Sequence, residues 1–433
     1  MRNDNLRLHY VDDIDYPIKI KGVDVNESKL VESLDPVTQP AKSDKLMKGL
    51  RAIKNKTFHP NWFGGASCFG GHLQTMQTVM RNRKIAAQPY DYDFEEDYTL
   101  EDGGQICLSF KGDFSEDATN PVVLFAMGGG GTARGGDQRN CVDSFVAAGM
   151  SVAVIGYRGF GLDSKGNTLK LKTPKIFSSS RTSDFSDPAW YIYDKFCKEK
   201  NRDVYGFAIS MGGLVMSGAL KDMSFIKAAA LCSTMIEPLK SDMEAAKAPR
   251  NFYNWHFGKK MLGNMEDNAE VLAPEIKEKL DIDLVSKLNE LREAGRNTID
   301  VFDDTFMAPM AGYKDRVDYY NTVSPVEYLK KVEQPVLVLN HEDDPFTRMS
   351  FNKEPFKTNP NVALATTKTG GHMAAQESAF TYQLWVMDPV ITFLLAVGEP
   401  DRLGSESEST EASPDNKSDE NENSVSNAGS VNA

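Results

Sequence analysis

Six short runs of the chain are apolar almost without interruption: PVVLFAM (121–127), SVAVIGY (151–157), DVYGFAI (203–209), AAALCST (228–234), PVLVLNH (335–341) and NVALATT (361–367). A strand with one face in water alternates apolar and polar residues, whereas a strand covered on both faces need not. These runs therefore predict the buried strands of a mostly parallel sheet. Helical stretches lie between them. One is predicted to start at a Ser186-Asp187-Pro188 cap and to run through AWYIYDKFCKEK; another follows residue 210 as MGGLVMSGALKDM. Strand and helix in alternation, joined by short links, predict a doubly wound α/β domain.

The pattern breaks between Met235 and about Tyr328. There the sequence is polar and helical in character (EIKEKLDIDLVSKLNELREAG) and holds an aromatic cluster, NFYNWHFG. An insertion of this size predicts a cap above the strand ends. The expected organisation is an N-terminal extension (1–95) that wraps the sheet and adds its first strands, and a core in two parts (96–234 and 329–400). A helical cap (235–328) interrupts the core, and a tail (401–433) too poor in large apolar residues to fold follows it.

Charge and cysteine content narrow the function. The net charge of −13 excludes a phosphate-neutralising surface and with it a nucleic-acid partner. Seven Asp or Glu and one Lys fall between Gly404 and Ala433, so much of that charge belongs to the tail. The five cysteines (Cys68, Cys107, Cys141, Cys197, Cys232) are odd in number and scattered, with no C-x-x-C pair. They imply buried free thiols in a reducing, cytoplasmic setting and no zinc site. The first residues lack the apolar core of a signal peptide, and no run reaches the ~18 apolar residues of a membrane span.

Candidate chemistry centres on YGFAISMGGLVM (205–216). Ala208-Ile209-Ser210-Met211-Gly212 is a G-x-S-x-G nucleophile elbow with alanine at the first glycine position. A serine that opens a helix can equally be a cap. The nucleophile reading requires a base, because a serine hydroxyl is a poor nucleophile at neutral pH. Of the six histidines (His9, His59, His72, His256, His341, His372), His372 suits that role. It lies in TTKTGGHMAAQES, after the last predicted strand, where Gly370-Gly371 lets the loop turn inward. The orienting acid is expected at the end of an earlier strand, the edge at which open α/β sheets bind ligands. VLVLNHEDDPF places Asp344 there, with Asp343 as the alternative. His341-Glu342-Asp343-Asp344 does not read as a metal site, because adjacent strand residues point to opposite faces.

Donors for a developing oxyanion are expected from the N–H of Met211, after the nucleophile, and from the glycine-rich loop LFAMGGGGTARGG, with Gly129 as the second donor. That loop also fits a loose dinucleotide fingerprint, Gly128-x-Gly130-x-x-Ala133. The fingerprint calls for an acid at the end of the next strand, and Tyr157-Arg158 stands there instead. An arginine would suit NADP, but this reading leaves the elbow, the DDPF turn and the GGH loop unexplained. No metal or organic cofactor is expected.

Several further segments resemble a branch of the α/β-hydrolase superfamily: the abhydrolase-domain proteins grouped with bacterial YheT-like hydrolases, plant embryogenesis-associated proteins and yeast medium-chain ester synthases. They are FHPNWF (58–63), GGHLQTMQT (70–78), GYRGFG (156–161), FDDTFMAPMAGYKDRVDYYNTVSP (302–325) and LNHEDDPF (339–346), within a resemblance spanning about residues 55 to 395. It implies an α/β-hydrolase fold with a helical cap and serine esterase chemistry on medium-chain or lipid esters, or acyl transfer to an alcohol by the same route. By position it implies a triad of Ser210, Asp344 and His372. Ala208 and the loop MGGGGTA depart from the branch, which carries glycine and an H-G-L-x-G-x-S type sequence at these places. Trp62, His72, Tyr319 and Tyr320 read as packing and hydrogen-bonding residues. Phe252, Trp255 and Phe257 suit an acyl pocket, a peripheral membrane contact or lid–core packing. A non-catalytic lipid-binding protein of the same fold is the remaining alternative.

Overall fold

The structure, a computed structural model, describes residues 7–9, 41–56, 70–248, 251–347, 352–376 and 383–399. Trp62, Cys68, the FHPNWF segment and the acidic tail lie outside them. In chain order the elements that matter are β1 (Arg7–His9), α1 (Asp44–Asn55), α2 (Gly71–Ala86), β2 (Phe94–Thr99), β3 (Gln105–Lys111), β4 (Val122–Ala126), α3 (Gly136–Ala147), β5 (Ser151–Ile155), α4 (Ser183–Phe196), β6 (Val204–Ile209), α5 (Gly212–Ala219) and β7 (Ile226–Cys232). Next come α6 (Pro238–Ala245), α7 (Phe252–Asp267), α8 (Ala269–Leu280), α9 (Leu284–Glu293), then β8 (Val336–His341), β9 (Val362–Thr367) and a C-terminal helix, Met387–Gly398.

One sheet orders these strands β1-β9-β8-β7-β6-β4-β5-β3-β2. The run β9 to β5 is parallel, and antiparallel pairs close both edges. All six apolar runs became strands of the parallel part. Helix α3 and the C-terminal helix cover one face, and α4 and α5 cover the other. With both faces covered, every residue of β4, β5, β6, β8 and β9 is buried. Strand β2, at the edge, is half-exposed along most of its length, and its sequence FEEDYT carries no apolar run. Helix α1 buries Leu46, Met47, Leu50 and Ile53 on one face. Gly49 lets it approach the C-terminal helix: a Cβ there would lie 2.5 Å from Phe393.

One predicted boundary is corrected. Helix α4 starts at Ser183, ahead of the Ser186-Asp187-Pro188 cap, and Pro188 lies inside it. The extra turn is held by a tertiary bond. Asp184, in that turn, receives the buried guanidinium of Arg158 through Nε at 2.5 Å and Nη2 at 2.7 Å. An ion pair made in the folded protein thus outweighs the local cap signal.

The segment between β7 and β8 is helical and has its own apolar cluster, including Met265, Leu272, Ile276, Leu288 and Phe306. Leu214, from α5 directly behind Ser210, belongs to this cluster too. Tyr319 and Tyr320 brace the segment. The Tyr319 hydroxyl accepts the Ser179 N–H at 3.0 Å, and Tyr320 donates to Asp303.

Candidate active site

Ser210 stands between β6 and α5 in the left-handed region, with φ 54°. Its N–H donates to Cys232 O at 2.9 Å and its carbonyl accepts the Gly213 N–H at 3.1 Å, which closes a tight turn. Non-glycine residues rarely hold such a φ, and strain of this kind persists only where the surroundings enforce it. Gly212 is one enforcer: a Cβ there would lie 2.2 Å from Ala126 O and 2.4 Å from Met127 O. Ala208, at the other small position, remains in β6, paired with Ala126 and Leu231. Its methyl therefore sits within the sheet, and the tight part of the turn begins after it.

The structure brings Ser210, His372 and Asp344 into one hydrogen-bonded line. His372 Nε2 lies 2.8 Å from Ser210 Oγ, and His372 Nδ1 lies 2.9 and 3.1 Å from the two oxygens of Asp344. Asp344 is fully buried and also accepts the N–H groups of Phe346 at 2.7 Å and Thr347 at 3.2 Å. Burial alone would raise its pKa. The adjacent His372 and the donated hydrogen bonds outweigh that and hold it below the ordinary carboxylate value. The carboxylate therefore stays ionised next to the imidazole.

Asp343, the alternative acid, points elsewhere. Its Oδ1 accepts the N–H of Gly371 at 2.9 Å and so fixes the loop carrying His372. Two partners share that task. Thr75 Oγ1, on α2, accepts the His372 N–H at 2.9 Å. His341, fully buried, packs under Gly370 and contacts Thr367 Oγ1 at 2.5 Å. Desolvation pushes its pKa down to about 4, so the ring is neutral. The side chains of 341–344 thus diverge onto different partners. Among the described residues no group of three or more His, Cys, Asp or Glu is placed to hold a metal.

Met211 caps α5, where the first N–H groups have no partner within the helix. The glycine loop runs beside the elbow. A Cβ on Gly128 would lie 3.4 Å from Ser210 Cβ, and one on Gly129 would lie 3.4 Å from Met211 Sδ. Arg158, which the dinucleotide reading would assign to a cofactor phosphate, is already neutralised by Asp184 and, at 2.9 Å, by Asp102.

One face of α7 roofs this arrangement. Tyr253, Phe257, Lys260 and Asn264 follow a helical repeat and point the same way. The rings of Tyr253 and Phe257 lie 4.8 and 5.9 Å from Phe346, whose own ring lies 4.5 Å from His372. Lys260 reaches Gly130, and Asn264 donates to Gly159 O. The aromatic cluster is thus divided: Phe257 packs between cap and core, while Trp255 is exposed. Thr75 and Lys260 were not singled out from the sequence. Only the placement of Thr75 within GHLQT hinted at a role.

Comparison with known proteins agrees with this architecture. A family model described as the alpha/beta hydrolase fold matches residues 121–379, and the chain belongs to that family, in the abhydrolase-domain and YheT-like branch. It is 27% identical over 325 residues to "Phospholipase ABHD3" of Mus musculus, covering 72% of this chain and 74% of that protein. It is 23% identical to YheT of Escherichia coli, covering 73% and 87%. Identity to the "Monoacylglycerol lipase" of Saccharomyces cerevisiae is 25%, over 52% of this chain and 49% of that one. Among solved structures, an esterase of Pyrococcus furiosus matches with a TM-score of 0.43 and 14% identity, over 72% of this chain and 94% of its own.

Proposed function

We propose that the protein is a serine hydrolase of carboxylic esters, with Ser210 as nucleophile, His372 as general base and Asp344 as the acid that orients and stabilises the imidazolium. The observation that carries this is the continuous line from Ser210 Oγ to His372 to Asp344, with the serine held at a left-handed turn. His372 Nε2 takes the hydroxyl proton as Oγ attacks the ester carbonyl. The N–H groups of Met211 and Gly129 receive the oxyanion. His372 then gives the proton to the departing alcohol, leaving an acyl-enzyme. Water attacks that intermediate by the same proton route and releases the acid. An alcohol in place of water would yield a new ester.

The names of the relatives, a phospholipase and a monoacylglycerol lipase, support a lipid ester as substrate. So do exposed apolar side chains on the two helices beside the site. Leu73, Met76 and Met80, spaced along one face of α2, are exposed, as is Trp255 on α7. Such exposed side chains suit peripheral contact with a lipid surface. No helix among the described residues is long and apolar enough to cross a membrane.

The test is hydrolysis of p-nitrophenyl esters from acetate to palmitate by wild type and Ser210→Ala. The expected result is loss of about 10⁴-fold or more in kcat with Ser210→Ala, because its partners act only through the nucleophile. Equal activity of the two proteins would sink the proposal. If both are inert, labelling by a fluorophosphonate that depends on Ser210 decides it. Ethanol added to the same assay separates the two acceptors: ester formed above the uncatalysed level indicates transfer.

A further inference from the structure

Lys260 is placed as few surface lysines are. It lies on the face of α7 that roofs the site, seven residues after Tyr253 and three after Phe257, which both pack on the acid turn. A Cβ built on Gly130 would lie 3.0 Å from Lys260 Cδ and Cε and 3.3 Å from Nζ. The ammonium is thus within about 5 Å of the Gly130 backbone. Gly130 follows Gly129, and a Cβ on Gly128 would lie 3.4 Å from Ser210 Cβ. The charge therefore stands on the same short loop as the proposed oxyanion donor, one residue beyond it.

No acid is set against this charge. Among the described residues neither Lys260 nor Arg83 has a carboxylate within ion-pair distance. The neighbours are basic: His256, one turn before Lys260, feels the charges of Arg83 from α2 and of Lys260 and Lys259 from its own helix. Desolvation and those cations hold the His256 pKa below its ordinary value, and desolvation does the same to Lys260. Lys260 is itself exposed, so its ammonium is accessible from solvent. In a chain with a net charge of −13, an exposed cation with no carboxylate partner, standing beside the reaction centre, is open to an anion that enters the site.

We propose that Lys260 forms a subsite for an anionic group carried by the ester substrate, a phosphate or a carboxylate close to the scissile bond. This deepens the serine-hydrolase reading and rests on it for the position of the scissile bond. The ammonium donates charge-assisted hydrogen bonds to the anionic oxygens, while the glycine loop, free of side chains, lets that group lie close to the oxyanion donors.

The experiment measures binding without turnover. Hexyl phosphate, hexanoate and hexanol are titrated calorimetrically into the full chain carrying Ser210→Ala, alone and with Lys260→Met or Lys260→Arg. At least one anion is expected to bind about ten- to a hundredfold more tightly than hexanol. Lys260→Met should erase that difference, and Lys260→Arg should keep most of it. Preference for the phosphate assigns the subsite to phosphoesters, and preference for hexanoate assigns it to carboxylates. If both anions bind no better than the alcohol, or if Lys260→Met leaves the difference intact, the subsite is overturned. The two readings fail separately. Ester hydrolysis that depends on Ser210 but comes with no anion preference removes only the subsite. Lysine-dependent anion binding in a protein whose wild type neither cleaves esters nor takes a fluorophosphonate at Ser210 removes only the hydrolase.

Discussion

Thr75 Oγ1 accepts the backbone N–H of His372 at 2.9 Å, a contact between residues 297 apart in sequence. The same hydroxyl donates to Gly71 O at 2.7 Å, so its lone pair is aimed at the histidine loop. Gly71 itself approaches so closely that a Cβ there would lie 1.8 Å from Asp343 O. The start of α2 is therefore wedged between the acid turn and the histidine loop and sets the position of both.

Thr75→Val removes the acceptor while keeping the shape. A buried N–H left unpaired costs about 1–3 kcal/mol, and part of that cost falls on the histidine's placement. The expected result is a kcat for a p-nitrophenyl ester about tenfold lower with little change in KM, together with slower fluorophosphonate labelling of Ser210. Thr75→Ser should restore both. A variant that melts earlier yet labels at the wild-type rate would show that Thr75 serves stability alone.

The elbow predicts a conflict between stability and activity. Ser210 pays for its left-handed backbone, and Ser210→Gly relieves strain of order 1 kcal/mol, less the entropy glycine returns to the unfolded chain. Ser210→Gly should therefore unfold no more easily than wild type, and more stably than Ser210→Ala, which keeps the strained backbone. Denaturant titration of the three proteins checks this ordering. A Ser210→Gly less stable than Ser210→Ala would mean that the turn is not strained.

The parts of the fold that were legible in the sequence share one physical cause. Strands β4 to β9 are buried on both faces, apart from Lys227 near the start of β7, so their apolar runs appear in the sequence directly. The elbow was legible because Gly212 must lack a side chain, and a steric demand of that kind leaves a residue type behind. Strand β2, half-exposed at the edge, left no such trace. Neither did Thr75, whose partner lies almost three hundred residues away, nor Lys260, which looks in sequence like any lysine on a polar helix. The start of α4 was misread for a related reason: Arg158 fixes its first turn from another part of the chain.

Two glycines provide a paired test of packing. Gly263, within α7, has nothing within 4 Å of where a Cβ would lie, whereas Gly212 would press one against two backbone carbonyls. Gly263→Ala should stabilise by up to about 1 kcal/mol through helix propensity alone. Gly212→Ala should destabilise by several times that amount, because the carbonyls belong to the sheet and have no room to retreat. Chemical denaturation of both variants measures the contrast, and equal effects would mean that Gly212 does not press against those carbonyls.

The cap carries an acid that links its stability to pH. Asp303 is buried and receives the Tyr320 hydroxyl; burial, opposed by that hydrogen bond and by Arg316, and aided by Asp242 and Asp304, raises its pKa to about 8. Asp242 is raised by burial to about 6, with Arg316 lowering it and Asp300 and Asp304 raising it. In the unfolded chain these acids titrate near 4. Between the unfolded and folded values the native state holds protons that the unfolded state has lost, so their contribution to stability declines as pH rises. His341 works in the opposite sense. It is neutral when buried, with a pKa of about 4, so its penalty grows as pH falls from about 6.5. The two effects oppose each other below pH 6.5, and above it Asp303 acts without that opposition. Melting temperature should therefore fall by a few degrees between pH 6.5 and 8 in the wild type. In Asp303→Asn, whose amide stays neutral and still offers the Tyr320 hydroxyl an acceptor, the curve should be flatter. Parallel curves for the two proteins would show that Asp303 is already ionised in the folded cap.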